Sequence, residues 1–498
     1  MPITFSKSGD YTTPSTFIVS PPSAPTPLFN SISGTASGSA RGVYSLFAIT
    51  GTSVKVIQLS QGPSYPTAPN FTSGGTQTNN QYSQSLAGSI SLLTGTYVAN
   101  CSSWATTDGT SQAWKAFDGD TTTFWENNYY VQIGYDTGGT YTGSYSTTVS
   151  GSPVNGEWLQ LKFPTQVALR SYSMYARSGF ASRMPAQFTV AGSNDGLTWT
   201  TVDTKTGITT WTGQTPISFT PSVQTTPWTY FRLIAQALVS GPNDINVGQW
   251  TLSVTPYSDF YADTRGNLTT GINGTGQSVS AWLAGTTGYV TTWYDQSGGS
   301  NNAVQSNVTF QPTLTLAANN FINFDIGTSS NAFFSITNQV FPPGNSPFTT
   351  IARLGPCNGT TYQVFWHFGT PSSGSCVGLV SRPDFTPMRY SMYFFNGFDV
   401  SASGVGYVAN TIISTDSTGT AQKVWQDGTQ IGTGTYSGLN VVSGNQFIGA
   451  QAGATSNAGP QIRDLYIFST SLSGTDRNTL ENGYTTTSGI NSVISFRM

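Results

Sequence analysis

Short runs of alternating polar and apolar residues, each closed by turn formers, recur along most of the chain. Residues 43–58 (Val-Tyr-Ser-Leu-Phe-Ala-Ile-Thr-Gly-Thr-Ser-Val-Lys-Val-Ile-Gln) predict two strands around a Gly-Thr-Ser turn. Between 85 and 254, strands are predicted at 158–163, 171–176, 187–191, 199–203 and 230–235. The pairs Phe188/Val190 and Phe231/Leu233 keep the period of two that a half-buried strand shows. Asn194-Asp195-Gly196 predicts a hairpin closed by a type I′ turn, because Asp-Gly accepts the positive φ values such a turn needs. From 255 onward the runs at 288–294, 321–324, 348–352, 362–368, 389–395, 424–426, 446–449 and 462–468 continue the pattern. One helix is predicted, opening at Ser473 as N-cap and running through Thr475, Asp476, Arg477 and Glu481. Many short strands and few helical periods predict an all-β chain built as two β-sandwich, jelly-roll domains.

Two stretches lack the alternation. Residues 1–25 hold one strand-like run and then closely spaced prolines, which remove backbone donors and favour an extended chain. They predict an N-terminal arm and stiff linker. Residues 59–84 are rich in Ser, Gly, Pro, Asn and Gln and predict a second linker.

Composition narrows the function. Only 18 Lys plus Arg and 21 Asp plus Glu occur in 498 residues, with one His. At 8% charged, the chain sits far below the roughly 25% of ordinary globular proteins. The densest basic stretch, Arg170, Arg177 and Arg183, makes no stripe able to neutralise a phosphate backbone, so nucleic acid is not an expected partner. No run approaches the roughly 18 apolar residues of a membrane span. The N-terminal residues carry no basic segment followed by an apolar one, so a secretory signal is not expected there. Three cysteines do not make a disulfide framework; Cys357 and Cys376 either pair across a hairpin or stand as two buried thiols. The composition fits adhesins, fibre proteins and capsids.

The sharpest local constellation is Ala116-Phe-Asp-Gly-Asp-Thr-Thr-Thr-Phe-Trp125. It places Asp118, Asp120 and Thr123 on one tight turn around Gly119, the kind of oxygen set a hard cation takes. The same residues also suit a metal-free Asx turn.

Around this turn the chain resembles the discoidin domain, a galactose-binding-like sandwich of the coagulation-factor C type. The matching blocks are 116–125, Gly156-Glu-Trp-Leu-Gln-Leu161, Arg183-Met-Pro185, Gly192-Ser-Asn-Asp-Gly-x-x-Trp199, Tyr230-Phe-Arg-Leu233 and Ile245-Asn-Val-Gly-Gln-Trp250. The resemblance covers residues 85–254. It implies a structural Ca²⁺ held by Asp118, Asp120 and Thr123, with Gln249 where the family carries Glu. It also implies glycan or lipid-headgroup recognition by loops at one end of the sandwich, with Trp104, Arg177, Phe180 and Arg183 as candidate contacts. An aromatic face stacks on a sugar's C–H surface, and Arg supplies fork-shaped donors to hydroxyls.

A second resemblance covers the remainder. Tyr261-Ala-Asp-Thr-Arg265, Trp293-Tyr-Asp-Gln-Ser297, Val424-Trp-Gln-Asp-Gly428 and Arg463-Asp-Leu-Tyr-Ile467 are similar to the concanavalin-type jelly roll of the laminin-G and arabinofuranosidase-B-like kind. Residues 40–58 resemble its first strands. This implies one jelly roll, residues 26–58 plus 255–498, with the 85–254 domain inserted; insertions succeed where loop ends lie close together. A plain string of domains is the alternative.

Enzymatic activity is not expected. A glycosidase needs two carboxyls flanking the scissile bond, and Glu126, Glu157 and Glu481 are the only Glu residues. Asp295 is the best Asp candidate, but its Trp-Tyr-Asp-Gln-Ser setting reads as a turn. His367, between Trp366 and Phe368, reads as a buried, hydrogen-bonded core residue. The expected function is a virion structural or surface protein, as in particle proteins of large DNA viruses, assembled in the host cytoplasm. Its expected partners are other capsid proteins, cell-surface or capsid glycans, and further copies of itself. The alternatives are a secreted or cell-attached carbohydrate-binding protein and an arabinofuranosidase-like glycosidase.

Overall fold

The 19-residue strand Glu157–Tyr175 organises the first half of the chain. The computed structural model describes residues 28–49, 53–62, 69–87, 93–105, 111–128, 134–224, 226–240, 244–263, 266–316, 320–325, 332–356, 362–395, 399–401, 411–436, 438–451 and 459–488. In it, the first part of that strand lies between Gly95–Cys101 and Trp228–Leu238, with Leu161 opposite both Ala99 and Phe231. The last part lies in a second layer between Pro216–Phe219 and the start of Gln249–Asp263, with Met174 opposite both Ile217 and Trp250. The ladder to Trp228–Leu238 breaks between Lys162 and Val167, where Pro164 sits. A proline has no N–H to give, so this is where the strand can leave one sheet for the other.

Pro185–Ser193 and Thr200–Lys205 extend the first sheet on one side, and Gln81–Leu86 with Thr76–Thr78 on the other, all antiparallel. The inward positions meet in a core of Tyr97, Phe117, Trp125, Phe163, Phe188, Phe231 and Trp250.

A second sandwich surrounds another core that includes Tyr44, Trp293, Phe341, Phe365, Trp366 and Met392. One of its sheets runs in the order Ala40–Ser45, Gln461–Phe468, Phe348–Leu354, Ile412–Ser417, Ala421–Gln426, Thr429–Thr435. The facing strands include Ser53–Gln61 beside Gly288–Trp293, and the series Phe334–Ile336, Gln446–Ile448, Gln363–Gly369, Cys376–Arg382, Arg389–Tyr393. The protein is all-β, with large antiparallel sheets.

The two sandwiches share a strand. Residues 249–256 pair with Glu157–Tyr175, and residues 257–263 pair with Ser53–Gln61. Ser60 stands opposite Tyr257, so the chain leaves and re-enters the second sandwich on neighbouring antiparallel strands.

Two expectations change. The stretch read as a linker at 59–84 holds the end of Ser53–Gln61 and the hairpin Thr76–Thr78/Gln81–Leu86. Its Thr, Gln and Ser residues form an outer edge of the sheet, where one face meets water and alternation with apolar residues is weak. Asn194-Asp195-Gly196 lies in a wider loop, between Gly192 and Thr200, and only Gly196 has positive φ there. The Asp195 carboxylate accepts from Leu197 N (2.8 Å) and Thr198 N (2.7 Å), which sets the turn through the side chain. Two-residue turns with both φ positive occur instead at Ser150-Gly151 and Asp427-Gly428.

The predicted helix is present as Gly474–Ser488, and Ser473 Oγ accepts from Asp476 N at 3.0 Å. His367 is buried, its Nε2 at 3.1 Å from the Gly369 carbonyl, and burial pulls its pKa down to about 4. Cys376 is buried, with its thiol pushed up to about 11 by burial. The predicted N-terminal arm and Cys357, and with it the pairing of Cys357 with Cys376, lie outside the described residues.

The adjacency of Ser60 and Tyr257 makes a direct prediction. Replacing residues 62–256 with a short Asn-Gly turn should leave a soluble remainder that melts cooperatively in calorimetry. A remainder that is unfolded by circular dichroism would contradict it.

Candidate functional site

Two arginines meet two carboxylates at one end of the first sandwich. Arg177 follows the end of strand Glu157–Tyr175, and the turn Ala181–Arg183 carries Arg183. Glu126 ends the short strand Trp125–Glu126, whose partner strand places Asn246 opposite it. Asp244 precedes that partner strand.

Arg183 Nη1 pairs with Asp244 and lies 3.2 Å from Glu126 Oε1. Arg177 Nη1 donates to Asn246 Oδ1 at 3.1 Å and lies 3.9 Å from Glu126 Oε2. Asn246 Nδ2 donates to both Glu126 Oε1 (3.1 Å) and Asp244 Oδ2 (3.2 Å). The carboxylates are buried and the arginine side chains are about one-third exposed. Each arginine therefore turns one nitrogen inward, while its Nε and Nη2 edge makes no hydrogen bond among the described residues.

Phe180 does not offer a bare face for stacking. The Arg177 guanidinium lies between the Phe124 ring (3.7 Å) and the Phe180 ring (4.1 Å), and Arg183 lies over Phe180 at 4.6 Å. The aromatic groups hold the cation planes in place, which shifts their expected role from ligand contact to support. Trp104 is half-buried against the core, on a segment bonded to the Glu126 strand through Ala105 N and Glu126 O (3.1 Å). Phe124, Glu126, Asp244 and Asn246 were not expected. Their signal was present: Phe124 and Asn246 lie within the two sequence blocks 116–125 and 245–250, Glu126 and Asp244 flank them, and Glu126 is one of three Glu in the chain.

The four residues expected around a cation also come together. Thr123 Oγ1 lies 2.9 and 2.8 Å from the two Asp118 carboxylate oxygens. Gln249 Nε2 lies 2.7 Å from the Lys115 carbonyl, 2.9 Å from Asp118 Oδ1 and 3.0 Å from the Asp120 carbonyl. Asp120 contributes that backbone oxygen; its carboxylate turns aside to accept from Thr122 N (2.9 Å) and Thr122 Oγ1 (2.6 Å). A nitrogen donor at the meeting point of three oxygens does not fit a cation there. Among the described residues no group of three or more His, Cys, Asp or Glu is placed to hold a metal.

The remaining acidic candidates are held by their neighbours. Asp295 accepts from Val43 N (3.0 Å), Ser297 N (2.8 Å), Ser297 Oγ (2.7 Å) and Asn301 N (3.0 Å), which ties the loop after Gly288–Trp293 to the strand Ala40–Ser45. Glu157 is buried among Ser102, Ser103 and Asn127, and Glu481 is buried against Ser414. No described helix is long and apolar enough to cross a membrane.

No protein-family model matches the sequence, and no curated relative matches it. Solved structures with a similar fold include a Clostridium perfringens carbohydrate-binding module in complex with GalNAc-β-1,3-galactose. It is 15% identical over 32% of this chain and 94% of that one, with a TM-score of 0.24. The family 32 carbohydrate-binding module of C. perfringens NanJ, in complex with galactose, is 15% identical over 32% of this chain and 93% of that one, with a TM-score of 0.23. An arabinofuranosidase complexed with arabinofuranosyl-α-1,2-xylobiose is 11% identical over 47% of this chain and 57% of that one, with a TM-score of 0.35.

The cluster predicts a pH effect. Burial, then the hydrogen bond to Asp244, raises Glu126 to about 7 from an ordinary 4.5, against the opposing pull of Asn246 and Arg177. Between those values the folded protein holds a proton that the unfolded chain releases. The stability this adds is complete below 4.5 and is lost as pH rises through about 7. Glu126→Gln removes the titration, so its melting temperature should fall less than that of the wild type between those pH values. Parallel melting curves would contradict the raised Glu126.

Proposed function

We propose that this is a carbohydrate-recognition protein, whose contact site is the Arg177/Arg183 cluster. The supporting observation is the division of labour in each guanidinium. Nη1 is fixed by buried acceptors, while Nε and Nη2 donate to no described residue on a side chain that is about one-third exposed. Fixing the planes in advance lowers the ordering cost of binding. A guanidinium edge matches a pair of vicinal hydroxyls, which two long, unrestrained side chains would not do as well. Above about pH 7, where Glu126 is ionised, two cations face two carboxylates and leave little net charge, which suits a neutral sugar better than an acidic one.

The wider reading follows from the organisation of the chain. The 71–256 sandwich stands as a recognition domain inserted into the jelly roll formed by residues 40–61 and 257–488, with the crossing at Ser60 and Tyr257 supporting it. We place the protein on the surface of a virus particle, with capsid proteins, glycans and further copies of itself as its partners. The charge-poor Ser, Thr, Asn and Gly surface supports this reading, since such a surface can pack closely without assembling like charges. The role is one of binding rather than catalysis, in keeping with an Asp295 carboxylate already occupied by four donors.

A glycan array probed with the full chain tests the site. The expected result is binding to neutral glycans. Arg177→Lys and Arg183→Lys keep the charge but lose the fork. Each should weaken binding about 10- to 100-fold, the equivalent of the ~1.5–3 kcal/mol that hydrogen bonds to charged groups contribute. Unchanged binding in both variants, with melting temperatures near that of the wild type, would reject this site. Proteomics of purified particles tests the location, and absence from them would leave a secreted or cell-attached glycan binder.

A further inference from the structure

The loop around Gly119 brings three oxygens to one point: the Lys115 carbonyl, Asp118 Oδ1 and the Asp120 carbonyl. Oxygens converge in this way only if something electropositive stands between them. Here that group is the side-chain amide of Gln249, which is buried. Its orientation is set independently, because Gly119 N donates to Gln249 Oε1 at 3.0 Å. The oxygen of the amide is therefore committed, and the NH₂ must face the three acceptors.

The hydrogens balance. Thr123 Oγ1 touches the same three oxygens, at 3.1 Å from Lys115 O and 2.9 Å from both Asp118 Oδ1 and Asp120 O. Two amide hydrogens and one hydroxyl hydrogen serve three acceptors. The charge balances as well, since Lys115 Nζ lies 3.7 Å from Asp118 Oδ2. The turn itself depends on glycine. Gly119 has φ +76°, and a Cβ there would come within 2.8 Å of Asn70 Oδ1.

We infer that the Gln249 amide closes this loop in place of a divalent cation, so that the loop is metal-independent, and that Gln249→Glu alone converts it into a cation site. The substitution exchanges the NH₂ for a second carboxylate oxygen. That leaves Lys115 O, Asp120 O, the Asp118 carboxylate and Thr123 Oγ1 facing a second negative charge, an oxygen set of the kind Ca²⁺ takes. The inference does not depend on what the arginine cluster binds.

Thermal melting of the full chain, in EDTA and in millimolar Ca²⁺, tests it, together with Tb³⁺ luminescence sensitised by Trp250, the next residue in the chain. The wild type should melt at the same temperature in both conditions and give no saturable Tb³⁺ emission. Gln249→Glu should melt several degrees lower in EDTA and recover saturably with Ca²⁺, as expected for a ligand that binds only the native state. It should also show Tb³⁺ emission that Ca²⁺ displaces. A wild type that is stabilised by Ca²⁺, destabilised by EDTA and able to sensitise Tb³⁺ would overturn the inference. So would a folded Gln249→Glu protein that ignores both ions. If that variant does not fold, the wild-type measurements alone decide the metal-independence.

Discussion

The structure depends on one continuous strand, Gln249–Asp263, which belongs to two sandwiches. Its first half completes the small sheet of one sandwich against Glu157–Tyr175, and its second half lies against Ser53–Gln61 in the other. A strand has a period of two, so a slip by one residue would turn every side chain to the opposite face. Trp250, Leu252 and Val254 point into the first core, and Phe260 and Ala262 into the second. Both cores therefore hold the strand in a single register. That register also sets Gln249 under the Gly119 loop, and the chain just before it sets Asp244 and Asn246 beside Glu126.

Scarcity of charge gives the arginine cluster its weight. With 39 ionisable acidic and basic side chains (18 + 21) in 498 residues, most buried polar groups are served by Ser, Thr, Asn and Gln. Thr350 and Thr415 share a hydrogen bond of 2.7 Å inside the second sandwich, and Gln446 Oε1 accepts from Val340 N and Phe341 N. Elsewhere ion pairs brace a turn, as in the Arg382 fork on Asp384, a strand pair, as in Lys55–Asp259, or the terminal helix, as in Arg477–Glu481. Where Arg177, Arg183, Glu126 and Asp244 meet, buried carboxylates hold guanidinium groups that stack on aromatic rings. The same economy is seen at Gln249, where a neutral amide does work that a cation could do.

Much of the fold was legible as alternation. The strand that carries Phe231 and Leu233 is half-buried there, and its period shows it, whereas the strand that carries Phe188 and Val190 is buried on both faces from Phe188 to Ser193. Gln363–Gly369 was legible as an apolar run because both of its faces are covered. The hairpin 76–86 was not legible, since an edge whose residues are mostly Thr, Gln and Ser looks like a linker until its partner strand is known. The site was half legible. Arg177, Phe180 and Arg183 stood out as residue types, but their partners come from segments over 50 residues away, joined only by the pairing of Glu126 with Asn246. The Asp118 loop was legible as a turn that gathers oxygens. What gathers them depends on which end of the Gln249 amide faces inward, and Gly119 N decides that.

The most direct measurement is a crystal structure of the full chain with the neutral glycan it binds most strongly. Sugar hydroxyls should lie on the outer edges of the Arg177 and Arg183 guanidinium groups, with Glu126, Asp244 and Asn246 holding the inner nitrogens as they do without ligand. A glycan seated elsewhere on either sandwich, with both arginine edges still facing solvent, would contradict the assignment.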